Sequence, residues 1–87
     1  MKMIFLKKTI SYSNPFKNSI TIKIDSIETV SNATVTIYDL LGKKVAEISS
    51  VNQNIISIDR NNLESGIYIY TITKQGNLIS KGKIIAE

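Results

Sequence analysis

The sequence predicts an all-β protein, an immunoglobulin-like sandwich of about seven antiparallel strands in two sheets. Isoleucine outnumbers leucine 17 to 5, and β-branched side chains, which are restricted at χ1, favour the pleated surface of a sheet. Apolar and polar residues alternate in short segments that are separated by turn residues. Apolar residues do not recur at the spacing of an amphipathic helix. The 87 residues leave room for one domain.

Seven segments are predicted as strands. The second alternates isoleucine with polar residues, which is the pattern of a half-buried strand. The sixth is apolar on both faces, which indicates a central strand. Pro15 has no N–H to donate to a neighbouring strand, so pairing of the first strand should stop before it. In chain order the predicted strands lie within residues 3–13 and at 19–25, 33–39, 43–49, 55–59, 67–73 and 78–86.

Two turns are the most informative. In one, Asp39 can bond to the turn backbone and Gly42 can take the positive φ of a type I turn with a bulge. In the other, Leu63 precedes a turn that Gly66 closes, and Tyr68 follows the turn. We expect Gly66 to have a positive φ as well. This arrangement is similar to a tyrosine corner, in which the hydroxyl bonds to upstream backbone. The alternative is that Tyr68 is an ordinary aromatic residue of the core.

The residue types argue against catalysis. The chain has no Cys and no His, which excludes disulfides, zinc sites of Cys and His, and Cys/His catalysis. Its carboxylates stand beside turn and strand-end residues, where they bond local backbone. Its four glycines are isolated, so no phosphate-binding loop is present, and calcium-ligand spacing is lacking. We expect no catalytic residue, no cofactor and no metal site.

The charge of the chain does not indicate a nucleic-acid partner. The net charge is +4, but the lysines lie at strand ends and turns, where they keep a protein soluble and protect sheet edges. No aromatic residues are interleaved with them as stacking platforms. Near the N-terminus, Lys7 and Lys8 interrupt an apolar stretch too short for a signal peptide or a membrane span. We therefore expect neither nucleic-acid binding nor membrane insertion, and an exported form would have to be part of a larger precursor.

Four blocks of residues occur in an order that resembles a known family. They are Asn14-Pro15-Phe16, the hairpin Val35-Thr36-Ile37-Tyr38-Asp39-Leu40-Leu41-Gly42-Lys43-Lys44-Val45, the corner Leu63-Glu64-Ser65-Gly66-Ile67-Tyr68, and Lys81-Gly82-Lys83-Ile84-Ile85. Together they resemble the C-terminal sorting domain of proteins exported by the type IX secretion system of Bacteroidetes, also called the Por secretion tail. The expected domain covers residues 14–87, and residues 1–13 form an upstream linker or first strand. The motif residues expected to be structural are Asn14, Pro15, Phe16, Tyr38, Asp39, Gly42, Leu63, Gly66 and Tyr68.

The resemblance implies that the domain is a folded sorting signal without an active site. The attached N-terminal cargo domain would cross the inner membrane by its own signal and fold in the periplasm. The sorting domain would then lead it to the outer-membrane translocon. A sortase-like peptidase would remove the domain, leaving the cargo at the cell surface or secreted. The implied partners are the translocon, that peptidase and the cargo.

The last predicted strand is the candidate surface for translocon recognition. Lys81 and Lys83 should share one face with Ile79 and Ile85, and no later strand covers the strand end. Such a segment could offer charge and unpaired backbone to a partner. The residues proposed for recognition are Lys81, Lys83, Ile84 and Ile85.

The competing hypothesis is an accessory module of a secreted protein that binds carbohydrate, mediates adhesion or spaces other domains. Folds of this class host both roles, so architecture alone does not choose between them. A sugar platform would normally present exposed aromatic residues, yet the chain has no Trp, two Phe and four Tyr. An enzyme is the weakest of the three hypotheses.

Overall fold

The computed structural model describes residues 8–12, 15–25, 30–60 and 63–87. These residues form seven strands and no helix, which confirms the predicted all-β class, and none of them therefore provides a helical membrane span. The strands are β1 (Lys8–Tyr12), β2 (Ser19–Asp25), β3 (Ala33–Asp39), β4 (Lys44–Val51), β5 (Ile55–Asp59), β6 (Gly66–Lys74) and β7 (Asn77–Ala86).

The strands form two antiparallel sheets. One has three strands in the order β1-β2-β5, and the other has four in the order β4-β3-β6-β7. In immunoglobulin notation the sheets correspond to A-B-E and C′-C-F-G, which is the predicted architecture. The sixth strand lies between β3 and β7, so its prediction as a central strand is confirmed.

The strand bounds follow the predicted ones closely. The bounds of β2, β3 and β5 are those predicted, whereas β6 and β7 begin one residue earlier and β6 ends one residue later. The turn that joins these two strands explains the later end of β6 and the earlier start of β7. Gln75 and Gly76 have φ values of 52° and 78°, and two consecutive positive φ values produce a tight hairpin whose twist matches its strands. Pairing therefore continues to Lys74 and Asn77.

The core fills the space between the two sheets. From the three-stranded sheet, Ile20, Ile22 and Ile24 are each at most 1% exposed. They belong to one cluster with side chains of the four-stranded sheet, so each sheet buries one face against the other. The cluster consists of Phe16, Ile20, Ile22, Ile24, Val30, Ala33, Val35, Ile37, Val51, Ile56, Ile58, Tyr68, Tyr70, Ile72, Ile84 and Ala86.

A polar contact within this interior connects the first strand to the opposite sheet. The Tyr70 ring lies beside Gly82, its partner on β7. The Tyr70 hydroxyl is hydrogen-bonded to Thr9 Oγ1 of β1, and Ser80 Oγ donates to the same Thr9 oxygen at 3.2 Å. Because Ser80 is 1% and Tyr70 3% exposed, these bonds satisfy groups that would otherwise be buried without partners.

The predicted hairpin between β3 and β4 is confirmed. The Gly42 N–H donates to the Asp39 carbonyl at 3.0 Å, and the Asp39 N–H donates to the Lys43 carbonyl at 2.9 Å. Gly42 has φ of 88°, in the left-handed region that glycine occupies without strain. Gly66 also has the expected positive φ, but its value of 158° is nearly extended.

Substituting Gly82 by Ala should destabilise the fold, because the added Cβ would lie 2.5 Å from Cε2 and the hydroxyl oxygen of Tyr70. We expect the free energy of unfolding to fall by about 1–3 kcal/mol, as for other overpacked sites. Chemical denaturation measures this change. In a Tyr70→Leu background the same substitution should lower the free energy of unfolding much less. An equal loss in both backgrounds would contradict a steric overlap between the added Cβ and the Tyr70 ring.

Candidate functional site

The sandwich has two chemically different ends. We define the distal end as the end that contains the connection 15–18, the turn 39–43, the corner 63–65 and residues 86–87. A parallel bridge between Phe16 and Ala86 joins the two sheets there. β1 begins at Lys8, opposite Asp25, at the other end of the three-stranded sheet, which we call the proximal end.

Phe16 covers the edge of the last strand at the distal end. Its N–H donates to the Ile85 carbonyl and its carbonyl accepts from the Glu87 N–H, both at 2.9 Å, while its side chain is 1% exposed. The expectation of unpaired backbone at the end of the last strand is therefore wrong for Ile85 and Glu87. The sequence suggested only that Pro15 ends a strand, and not that the next residue pairs with the terminal one.

Arg60 links the segments that meet at the distal end by hydrogen bonds. Its Nε donates to the Leu63 carbonyl at 3.0 Å, and Nη2 donates to Ser65 Oγ at 3.1 Å. Its Nη1 donates to the Lys17 carbonyl at 3.3 Å and to the Glu87 main-chain oxygen. Sequence reasoning missed this residue. The available signal was that the only arginine of the chain stands directly before a corner, and a planar guanidinium suits several fixed acceptors at once.

The corner before β6 has the geometry of a tyrosine corner. The Tyr68 hydroxyl donates to the Glu64 carbonyl at 2.6 Å, and the Tyr68 side chain is 7% exposed. Leu63 packs against the core from its half-buried position. Tyr68 therefore both fills the core and fixes the path of the upstream backbone, which confirms the first of the two interpretations.

An open cavity of about 540 Å³ lies between this corner and the β3–β4 hairpin. Its polar lining mixes Asp39, Asp59 and Glu64 with Lys43 and Arg60. Among the described residues, no group of three or more His, Cys, Asp or Glu side chains could hold a metal ion. Asp39 is bonded to its own turn and Arg60 to backbone, so the described residues that line the cavity include no nucleophile paired with a base.

The residues predicted for recognition lie on two sides of β7. Lys81 and Lys83 are exposed and Ile85 is half-buried on the surface that faces away from the core, which we call the outer face. Ile84 has 0% exposure and belongs to the core. Ile79 also packs against the core, because the register shifts opposite Ile72 and Thr73 where it lies.

The outer face carries an apolar strip bordered by lysines. Antiparallel pairing places Ile69 of β6 between Tyr38 and Lys83, and it pairs Ile67 with Ile85. The Ile67 side chain is 39% exposed. Sequence reasoning did not assign Tyr38, Ile67 or Ile69 to this surface, because which strands neighbour one another is set by the sheet order.

On the β4 side the strip ends at a charged pair. Lys44 lies opposite Tyr38, and its Nζ is 3.1 Å from Glu47 Oε2. Both side chains are exposed, so the pair contributes little to stability. Lys81 and Lys83 of β7 lie on the opposite side of the outer face.

Comparison with known proteins shows the family of this chain. Residues 11–87 match the family described as the secretion system C-terminal sorting domain. The chain belongs to this family. The sorting domain is 37% identical over 77 residues to the ulvan lyase NLR42 of Nonlabens ulvanivorans, a match that covers 87% of this chain and 14% of that protein.

Family membership establishes the kind of function. The sorting domain is a C-terminal secretion signal of the type IX system of Bacteroidetes. Membership of this family implies export to the cell surface or secretion. The alternative of an accessory binding or spacer module is not favoured.

The family-motif residues take the following places. Pro15 is exposed, Phe16 and Tyr68 are buried, Tyr38 lies on the outer face, and Asp39 and Gly42 form the hairpin turn. Leu63 begins the corner, and Gly66 begins β6 directly after it. Asn14 lies outside the described residues.

Replacing Tyr68 by Phe should remove the bond to the Glu64 carbonyl and leave the ring in the core. We expect the free energy of unfolding to fall by about 0.5–1.5 kcal/mol, the usual contribution of one hydrogen bond. Thermal and chemical denaturation measure it. Tyr38→Phe on the outer face is the matched control, and equal effects of the two substitutions would argue against the corner bond.

Arg60→Lys keeps the charge but replaces a planar group that reaches several acceptors by a single ammonium. We expect a loss of about 1–3 kcal/mol in stability and faster hydrogen exchange at the amides of Phe16 and Glu87. Lys17→Met is the control, since its ion pair with Glu87 is 4.0 Å long and exposed. Unchanged exchange at both amides in Arg60→Lys would show that Arg60 does not hold the distal end.

Proposed function

We propose that this domain directs an attached N-terminal cargo to the outer-membrane translocon of the type IX system, and that a translocon component recognises its outer face. The observation that carries the proposal is the family match over residues 11–87. The described residues offer an ordered surface for recognition.

The outer face has the composition of a recognition surface. Apolar side chains at Ile67, Ile69 and Ile85 supply area to bury, and the neighbouring Lys81 and Lys83 supply charge that orients a partner. A translocon component with an acidic rim around an apolar centre would fit this surface. Ile84 supports recognition from inside the core, because its buried side chain holds β7 in place.

The position of the cargo suits this arrangement. We place the sorting domain at residues 14–87 together with β1, which pairs with β2 along its whole length. The cargo would precede β1 at the proximal end. It would then leave the distal end uncovered.

We further propose that the precursor crosses the periplasm and that a sortase-like peptidase removes the domain at the outer surface. Cleavage before β1 would release the cargo without disturbing the sandwich. The relative NLR42 is an ulvan lyase of which this chain matches 14%. By analogy, the cargo of the present domain has its own activity, to which the sorting domain adds no catalytic residue.

The test is a fusion of a signal peptide, a fluorescent reporter and this chain, expressed in a Bacteroidetes host with a working type IX system. The parental domain should bring the reporter to the cell surface or the medium. Lys81→Gln with Lys83→Gln should lower exported fluorescence by about tenfold or more, because the charge that would orient a partner is lost. Point substitutions are preferable to deleting residues 83–87, which would also remove Ile84 from the core.

The matched control is Lys17→Gln with Lys23→Gln, which changes the charge equally at exposed sites away from the outer face. Both variants should keep the parental melting temperature. If the folded Lys81/Lys83 variant exported the reporter at the parental level, recognition would have to involve another surface. The sorting role would be refuted if the parental fusion stayed in the periplasm of a host that exports its own proteins with sorting domains.

A further inference from the structure

β5 is an end strand of the three-stranded sheet, and among the described strands it pairs only with β2. The Asn54 carbonyl accepts a hydrogen bond from the Ile24 N–H at 2.7 Å. Backbone groups two residues apart point in the same direction along a strand, so the even-numbered residues of β5 bond to β2. The backbone groups of Ile55, Ser57 and Asp59 therefore point to the free edge.

The free edge of β5 lacks the features that usually protect the edge of a sheet. Lysine, proline and bulges commonly prevent two edges from pairing. The other end strands carry lysines, which are Lys8 in β1, Lys44 in β4, and Lys81 and Lys83 in β7. β5 contains neither lysine nor proline, and it pairs with β2 without a register shift. Its first residue, Ile55, is 57% exposed, so this edge is available to a further strand.

The side of the sandwich that contains this edge is open. Cavities of about 540 and 280 Å³ both have residues of β4 and β5 in their linings. On the opposite side of the sandwich the sheets are connected, because Ser80 of β7 donates a hydrogen bond to Thr9 of β1 at 3.2 Å. A further strand can therefore approach the sandwich beside β5.

The pattern of β5 is the same in both directions. Its side chains are alternately exposed and buried, with exposed residues at both ends and Ser57 at the centre. In an antiparallel pair of two β5 strands centred on Ser57, Ile56 would lie opposite Ile58 of the second copy on the core side. The outward backbone groups of residues 55, 57 and 59 would form the hydrogen-bonded pairs. A two-fold interface requires this kind of self-complementarity.

The same register brings opposite charges into one row. Asp59, the only charged residue of β5, would lie opposite Ile55 of the second copy, whose neighbour on β2 is Lys23. Two strand spacings separate the backbones of Lys23 and Asp59 by about 10 Å, and exposed charges at that distance still attract each other at moderate ionic strength. Both side chains are exposed, and the two-fold axis produces this pair twice.

We propose that the free edge of β5 pairs antiparallel with β5 of a second copy of this chain, which joins the two three-stranded sheets into one continuous sheet. With five residues per copy, the contact buries less than about 1,200 Å², the lower limit of a standard interface. The dimer is therefore weak, with a Kd between about 10 μM and 1 mM. Because β5 and the outer face belong to different sheets, both outer faces of the dimer stay accessible.

The test is sedimentation equilibrium of the purified chain from about 10 μM to 1 mM, with hydrogen exchange measured over the same range. We expect a monomer–dimer equilibrium. The amides of Ile55, Ser57 and Asp59 should exchange more slowly as the concentration rises, because pairing protects them. Ser57→Lys should raise the Kd by about fivefold or more, since the two lysines would lie directly opposite each other. The melting temperature of the dilute protein should not change, because Ser57 is exposed.

Charge reversal makes the test specific for a two-fold pair. Ser57→Glu should weaken self-association as Ser57→Lys does. An equimolar mixture of the two variants should form a heterodimer at least as tightly as the parental chain dimerises, because opposite charges then face each other. The matched control is Ser49→Lys, which changes an exposed serine of another end strand, β4, and should leave the Kd unchanged.

Several outcomes would overturn the proposal. One is a chain that stays monomeric at about 1 mM; if Ser57→Lys then also abolished export in the reporter assay, the edge would bind a strand of another protein. Another is a dimer that forms without slowing exchange at the edge amides of β5. A third is a mixture of the Lys and Glu variants that associates no better than either variant alone. Because the experiment needs no secretion system, its failure would leave the proposed sorting function intact.

Discussion

The insertion of Phe16 between the two sheets is the interaction on which the distal end depends. Its side chain is buried in the common core, while its N–H and carbonyl bond to Ile85 and Glu87 of the opposite sheet. One residue thus joins the connection between β1 and β2 to the last strand of the domain. Because both backbone groups are used, the last strand is paired on two sides at its end, and Ile84 and Ala86 are held in the core.

Arg60 and Tyr68 complete this end by satisfying main-chain oxygens. The Arg60 side chain donates to the carbonyls of Lys17 and Leu63 and to the main-chain oxygen of Glu87. The Tyr68 hydroxyl donates to the carbonyl of Glu64. Within the described part of the chain, no buried side-chain nitrogen or oxygen lacks a hydrogen-bond partner. Satisfied polar groups of this kind rigidify a small domain that has no disulfide.

A sorting signal needs a surface that persists through export, and this domain separates its stabilising residues from its accessible ones. The core side of β7 supplies Ser80, Ile84 and Ala86, which are buried, whereas the outer face supplies Lys81 and Lys83, which are exposed. The free edge of β5, on the other sheet, is a second accessible feature. A partner can therefore contact either feature without disturbing the packing that keeps the domain folded.

The sequence by itself determined the strands and turns, because alternation and turn chemistry are local. The period of two located β2, β3 and β5 to the residue, and Asp39 with Gly42 specified the hairpin. Four blocks of motif residues were sufficient to indicate the family. These signals depend only on neighbours along the chain, and they need no knowledge of how the sheets pack.

Only the tertiary structure decided which distant residues meet. The bridge from Phe16 to Ala86, the bonds of Arg60 and the contact of Tyr70 with Gly82 and Thr9 depend on the order of strands and on the packing of one sheet against the other. The same packing separated Ile84, in the core, from Ile85, on the outer face. Alternation shows that two neighbours face opposite ways, but which of them is buried is decided by the sheet that covers one side.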